Sequence, residues 1–347
     1  MCGLAGIISL NAQPPGGLES RLAAMSRLLE HRGPDGYGLW VHSNQAVGLA
    51  HRRLAVIDLT ESAAQPMYGK NGAVISFNGE IYNHIELRKS LSNQWDFVTQ
   101  SDTECILAAY DRYGDECLSH LRGMFAFALW DERKQRLFCA RDRFGIKPFY
   151  YAVLEDVLYF ASETKALLPF LPEIRTNEAA LAEYLTFQYT IGEKTLFEGV
   201  QQLLPGHALA VENGRVKVWR YWDVSYEIDF NHSTTYFQHR LRELLEDSIV
   251  MHGRSDVPVG SYVSGGIDSS LIYRLSQGNA SASPLGFHGK FTQFPGYDES
   301  EYAEAATHHA SGFLHTIDVS AGDFSKYVEK VIYHLDFPVA GPGSFPQ

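Results

Sequence analysis

The sequence predicts two successive folds, an α+β unit over about the first two-thirds of the chain and a parallel α/β unit after it. Three observations carry this. Short, apolar, β-rich runs bounded by turn residues recur through the first part, with only a few helical stretches among them. Between Leu203 and Asp223 the character changes, through LLPGHALAVENGRVKVWRYWD and a Trp/Tyr cluster, to the polar segment NHSTT. After His232 the order becomes helix, strand, Gly-rich loop, helix, strand, which is the alternation of a parallel sheet with crossover helices. A chain of 347 residues is long enough for two such domains.

The elements follow in order. Residues 5–10, 74–78, 123–130, 136–140 and 157–161 read as strands. Leu18, Leu22, Met25 and Leu29 share one face of a helix that should stop at Arg32, because Gly33 and Pro34 follow. A second helix is expected over 104–113, ended by Gly114. Asn213-Gly214 is a hairpin-turn pair. NHSTT supplies a helix N-cap, after which Leu241, Leu244, Leu245 and Ile249 recur at helical spacing. A buried strand over 257–263 and a helix over 270–277 flank the Gly-rich loop. The expected division is a domain over 2–216, a linker over 217–232 and a second domain over 233–347.

Composition narrows the function classes. The chain is 45% hydrophobic and 20% charged, ordinary for a folded globular protein. A net charge of −12 argues against a nucleic-acid binder, which needs clustered Lys and Arg, but leaves room for one local nucleotide site. No apolar run approaches the length of a membrane span. MCGLAGIISL lacks the cationic start of a secretion signal and runs into NAQPPGG, so a cytoplasmic location is expected. The four cysteines form no CxxC pair. Cys105 and Cys139, in ECILAAY and RLFCA, read as buried reduced thiols. His308-His309 and the other histidines lack HExxH-like spacing, which argues against metal ligation by them.

Cys2 stands apart. It directly follows the initiator Met, and loss of Met1, which a small second residue permits, would leave a thiol and a free α-amine on one residue. An α-amine titrates at about pH 8, so it can be neutral at physiological pH and take the thiol's proton. The thiolate can then attack a carboxamide and expel ammonia from a thioester intermediate. On position alone, a chance cysteine at the start of a strand is an equally good reading.

The neighbouring motifs decide between them. CGLAGI (2–7), HRGPDG (31–36), AHRRLAVID (50–58), FNGEIYNH (77–84), SDTE (101–104) and ARDRFGIKPFYY (140–151) occur in this order. Together they resemble the class II, N-terminal-nucleophile glutamine amidotransferases over most of residues 1–200. The resemblance implies an αββα sandwich with Cys2 as the nucleophile. It implies the Asn78 side chain and the Gly79 backbone N–H as donors to the oxyanion, a role worth roughly 3–4 kcal/mol per donor. Arg53 would fork onto the α-carboxylate of glutamine, Asp102 would take its α-ammonium, and Glu80, Val56 and Ile57 would complete the pocket. Gly79 is expected to let the backbone come close to the substrate. Arg52 stands where many relatives carry an acidic or small residue and is read as a surface change.

The second constellation is VPVGSYVSGGIDSS (257–270), a strand, two glycines and a serine-rich helix start. Backbone N–H groups and a helix N-terminus suit a phosphate there, yet no GxxxxGK[ST] occurs. The pattern resembles the pyrophosphate loop of enzymes that cleave ATP between the α and β phosphates to form an acyl-adenylate. That resemblance implies ATP contacts from Ser264, Gly265, Gly266, Asp268, Ser269 and Ser270, with Asp268 helping to hold Mg²⁺. Val263 and Phe287 are the adenine candidates. FHGKFTQFPGYDESEYA (287–303) and HLDFPVAGPGSFPQ (334–347) resemble later stretches of the same module.

Both constellations in one chain resemble the glutamine-hydrolysing asparagine synthetases. The implied reaction takes ammonia from glutamine at Cys2, through an internal channel, to an aspartyl-AMP made from aspartate and ATP–Mg²⁺. Its products are asparagine, glutamate, AMP and pyrophosphate, and the family admits a homodimer. Those enzymes continue into an SGEGADE-type motif and a catalytic lysine, which these 347 residues lack. A truncated form with glutaminase chemistry alone is therefore expected. A relative amidating another carboxylate and a non-catalytic regulatory relative are the other readings.

Overall fold

The computed structural model of the chain describes residues 1–276, 285–293, 296–338 and 342–345. They divide into two compact units, Met1–Ser225 and Tyr226–Gln347. The first unit contains twelve strands: β1 (Gly3–Ser9), β2 (Gly36–Val41), β3 (Val47–Arg53), β4 (Met67–Tyr68), β5 (Val74–Ile81), β6 (Gly123–Asp131), β7 (Arg136–Arg141), β8 (Tyr150–Leu154), β9 (Val157–Ala161), β10 (Gln201–Gln202), β11 (His207–Glu212) and β12 (Arg215–Arg220). Its helices are α1 (Leu18–Leu28), α2 (His84–Leu91), α3 (Asp102–Tyr113), α4 (Cys117–His120) and α5 (Glu178–Phe187).

The strands make two antiparallel six-stranded sheets, ordered β10-β8-β9-β1-β3-β2 and β12-β11-β7-β6-β5-β4. Strand alternation explains how they layer. On β1, Leu4 and Ile8 pack between the sheets against Val47, Leu49, Ala126, Ala128 and Trp130. Ala5 and Ile7, on the other face, meet Leu18, Leu22 and Met25 of α1. On β6 the pattern repeats: Ala126, Ala128 and Trp130 face the other sheet, and Phe125, Phe127 and Leu129 face Ile106 and Leu107 of α3. The result is helix, sheet, sheet, helix, the αββα sandwich expected from the resemblance.

All five strands read from the sequence are present, β5 running three residues further than expected. Helix α1 ends at Leu28, and a 3₁₀ turn over Glu30–Arg32 carries the chain to Gly33. Asn213 and Gly214 both have positive φ, +50° and +72°, as a type I′ turn between β11 and β12 requires. Strand β12 continues to Arg220, inside the segment 217–232 expected as a linker, because each of its residues pairs with β11. Cys105, Cys117 and Cys139 are buried free thiols.

The second unit holds α6 (Thr234–His252), β13 (Gly260–Tyr262), α7 (Ile267–Ser276), β14 (Leu285–Lys290), α8 (Ser300–His309), β15 (Phe313–Asp318) and α9 (Ala321–Leu335). Ser233 caps α6 by accepting the Tyr236 N–H. The strands form a parallel sheet in the order β13-β14-β15, as the alternation predicted. The strand expected over 257–263 is only three residues long; Pro258, lacking an N–H, precedes it. Helix α7 starts three residues before the expected position, and residue 277 lies outside the described residues. Among the described residues its buried cluster is small: Val263, Tyr273, Ala303 and Ala310. Among the described residues no helix is long and apolar enough to cross a membrane.

Candidate active site

Cys2 lies just before β1, in register with Leu4 and so on the inter-sheet side of that strand. The Leu54 N–H donates to its Sγ at 3.3 Å, and Arg32 Nε donates to its carbonyl at 2.8 Å. Arg32 is itself fixed by Glu163 at 2.7 Å, a carboxylate that also pairs with Lys165 and His31. Burial would raise Glu163, but hydrogen bonds from Lys165 and Arg32 hold it below the usual carboxylate range. Burial pushes the Cys2 thiol above its ordinary pKa, with the Leu54 N–H and the nearby chain-terminal amine acting the other way. That amine, which belongs to Met1, is pushed down, first by burial, and also by Arg32 and Lys147. Burial thus biases the sulfur toward the thiol and the Met1 amine toward its neutral form.

One cleft collects Cys2, Arg53, Leu54, Val56, Ile57, Gly79, Glu80 and Asp102, residues drawn from four separate motifs. Its free volume is about 20 Å³, close to one water. Arg53 donates to the carbonyls of Thr60 and Asp58, which leaves three of its five N–H groups for another partner. Arg52 points elsewhere. It donates to the Ser26 carbonyl and hydroxyl on α1 and lies over the Tyr37 ring, 5.2 Å from its centre. It is part of the packing of α1 on β3, in contrast to the surface role expected of it.

Strand β5 supplies the polar groups opposite Cys2. Asn78 is fully buried, and neither atom of its side-chain amide has a hydrogen-bond partner among the described residues. By alternation it faces the inter-sheet space, as Ser76 does in bonding to the Ala50 carbonyl of β3. The N–H groups of Phe77 and Ile81 point away from β6, to Gln65 Oε1 and Asp102 Oδ2. The Gly79 N–H lies between them on the same edge, so it too is directed into the cleft that Gln65 and Asp102 line. The strand pairing gives a reason for the glycine. A Cβ there would sit 2.2 Å from the Met124 carbonyl and 2.7 Å from Phe125 Cα, so the approach of β6 demands it.

The acids are tuned by burial. Asp102 opens α3 and is raised to about 6 by burial, against the pull of its hydrogen bonds from the Ile81 and Thr103 N–H groups. Glu80 is raised to about 8 by burial and then by Asp102, and its Oε2 has no partner among the described residues. A cation entering the cleft would favour the ionised form of both carboxyls, their protons passing to solvent.

Sequence reasoning did not single out Lys147, although it lies in ARDRFGIKPFYY. It is 5% exposed, and its charge is felt by Cys2, Glu80 and the chain-terminal amine. Asp142 anchors its loop by accepting the N–H groups of Phe144, Ile146 and Lys147. The signal was a lysine between Ile146 and Pro148, too apolar a setting for a solvated charge.

In the second unit the SGG turn is built for close approach. Gly265 has φ +92°, and a Cβ on it would lie 2.8 Å from Tyr302 Cβ. A Cβ on Gly266 would meet only the Ser264 hydroxyl, which keeps that side of the turn open. Ser264 and Ser269 bond to each other at 3.0 Å across the turn, and the first N–H groups of the ten-residue α7 follow. Asp268 and Ser270 lie in that first turn. Val263, Ser264 and Phe287 line one cavity of about 250 Å³, with Phe287 stacked on His315 at 5.3 Å. A phosphate fits the open turn, and a single carboxylate such as Asp268 suits Mg²⁺ shared with phosphate oxygens.

Comparison with known proteins places these features. A glutamine amidotransferase domain family matches residues 1–222, and an asparagine synthase family matches residues 240–347. The glutamine-hydrolyzing asparagine synthetase 1 of Bacillus subtilis is 35% identical over all of this chain and 54% of its own length. A putative glutamine-hydrolyzing asparagine synthetase of Mycobacterium bovis is 36% identical over 100% of the chain and 56% of its own. An amidase of Gibberella zeae, chry2, is 40% identical over 71% of the chain and 37% of its own. The chain thus spans about half the length of the curated relatives it matches. Among solved structures, the glutamine phosphoribosylpyrophosphate amidotransferase of Bacillus subtilis aligns with 91% of the chain and 81% of its own, at TM-score 0.48 and 18% identity.

Proposed function

Because the chain belongs to the glutamine amidotransferase family, with an asparagine-synthase module following that domain, we propose that it releases ammonia from glutamine at Cys2 to amidate a carboxylate activated by ATP. The observation that carries this is the cleft in which Cys2, Arg53, Gly79, Glu80 and Asp102 meet; Asn78, next to Gly79 in the chain, has both polar atoms of its amide unpartnered among the described residues. In this reading Met1 is removed and the Cys2 amine takes the thiol proton. The thiolate attacks the side-chain carboxamide of glutamine. Asn78 Nδ2 and the Gly79 N–H receive the oxyanion. The protonated amine then returns its proton to the leaving nitrogen, ammonia departs, and water hydrolyses the thioester to glutamate. Arg53 takes the substrate's α-carboxylate, while Asp102 and Glu80 ionise against its α-ammonium. The buried charge of Lys147, which Cys2 feels, favours the thiolate.

In the second unit the turn over Ser264–Gly266, with Asp268, Ser269 and Ser270 on α7, holds ATP phosphates and Mg²⁺; ATP supplies the adenylate that activates the acceptor. Aspartate, giving asparagine, is the acceptor favoured by the two relatives named as asparagine synthetases. The site is taken to work in the cytoplasm, where a thiol nucleophile stays reduced. The test is glutamate release from glutamine. The chain should release glutamate, and Cys2→Ala should lose at least about a thousandfold of the rate. Equal rates from both proteins would end this reading.

A further inference from the structure

Strand β14 carries a histidine that the proposed reaction leaves unused. His288 is 7% exposed, and its Nδ1 lies 2.8 Å from the Val263 carbonyl. A carbonyl only accepts, so Nδ1 carries the proton, and Nε2 of the neutral ring presents a lone pair. That nitrogen is buried and has no partner among the described residues. A buried acceptor without a donor loses its hydration and receives nothing in return, so it asks for an explanation such as a missing ligand. His288 lines the cavity of about 250 Å³ next to Ser264, and Tyr262, Phe287, Phe291 and Tyr297 give that cavity aromatic walls. Flat apolar walls suit a purine base, and His288 brings to that lining a nitrogen that has no donor among the described residues.

We propose that His288 selects the base of the nucleotide, its Nε2 accepting a hydrogen bond from the exocyclic amino group of adenine. This rests on the reading of the second unit as an ATP site. Hypoxanthine and guanine carry a carbonyl at that ring position, which would set one lone pair against another. A site built to satisfy a buried polar group rejects the analogue that cannot do so. Val263 has two parts in this arrangement, since it borders the cavity and its carbonyl fixes the tautomer of the selecting ring.

Calorimetric titration of the full chain with ATP–Mg²⁺ and with inosine triphosphate–Mg²⁺ tests this. The parent should bind ATP about tenfold or more tightly than the inosine nucleotide, a difference of roughly 1.4 kcal/mol. His288→Leu should weaken ATP about tenfold and leave the inosine nucleotide within about twofold. His288→Gln, whose amide can turn either oxygen or nitrogen to the base, should bind both alike. Should the leucine variant fail to fold, the parent's own Nε2 resonance in a ¹⁵N-histidine spectrum decides: ATP should move it and the inosine nucleotide should not. Equal affinity of the parent for both nucleotides overturns the assignment, as does undiminished discrimination in His288→Leu. If the parent binds neither nucleotide nor inorganic pyrophosphate, the ATP reading falls and the assignment falls with it.

Discussion

At the scale of the residue, the first unit holds charges where burial works against them. Glu80 keeps its proton to about pH 8 when folded, against 4.5 for an ordinary glutamate. Between those values the folded state binds more protons than the unfolded chain, so stability falls as pH rises through that window. His51 does the opposite at lower pH. Buried and with Nε2 on the Phe77 carbonyl, it is pushed from 6.5 down to about 4, so the unfolded chain takes up the proton first and stability falls as pH drops through that range. Glu80→Gln should therefore raise the melting temperature at pH 8 by an amount worth at least about 1 kcal/mol and change little at pH 4. Thermal melts across pH check this, and a variant equally affected at both ends would contradict it. Much of this chemistry was legible in the motifs, which named Cys2, Arg53, Asn78, Gly79, Glu80 and Asp102. The tuning was not, because Lys147, Arg32 and Glu163 act through burial and contacts across distant parts of the chain. No local spacing encodes such contacts.

At the scale of the element, β5 and α3 hold the cleft in shape. Gly79 is needed by the neighbouring strand, so Gly79→Ala should cost about 1–3 kcal/mol in chemical denaturation, from overpacking alone. A variant as stable as the parent would show that β6 can yield. Glu104 anchors the approach to α3: it accepts from Trp95 Nε1, the Val98 and Thr99 N–H groups and the Thr99 hydroxyl. Glu104→Ala leaves those donors without their acceptor and should destabilise by about 1–3 kcal/mol, while weakening glutamine binding through a displaced Asp102. Denaturation together with the KM of glutamate release checks both effects. Strands β1, β5, β6, β7 and β9 were legible because their apolar residues form short runs. Strand β3 was not, since VGLAHRR ends in three polar residues that the fold buries or half-buries: His51 on Phe77, Arg52 on α1 and Arg53 in the cleft.

At the scale of the whole molecule, the two units differ in how much they bury. Met1–Ser225 has three large clusters, two against helices and one between sheets, whereas among the described residues of Tyr226–Gln347 one cluster gathers Val263, Tyr273, Ala303 and Ala310, with Ala306 and Leu314 packed on it. Helix α9 has no buried residue, and Phe313 and Ile317 on β15 are exposed. Calorimetry should show two transitions, the second unit melting first; one cooperative transition would contradict that. The order of elements was enough to separate an α+β unit from a parallel sheet, while the sandwich itself was an expectation from the resemblance. That order could not tell which faces are buried, since burial depends on what surrounds each face. The central claim remains that Cys2 is the group that attacks glutamine. It is tested most directly by mapping covalent capture, using a glutamine analogue that carries an electrophilic ketone in place of the carboxamide. The account predicts one adduct, on Cys2 with Met1 absent, suppressed by excess glutamine. An adduct on Cys105, Cys117 or Cys139 instead, or labelling of Cys2 that glutamine does not suppress, would contradict it.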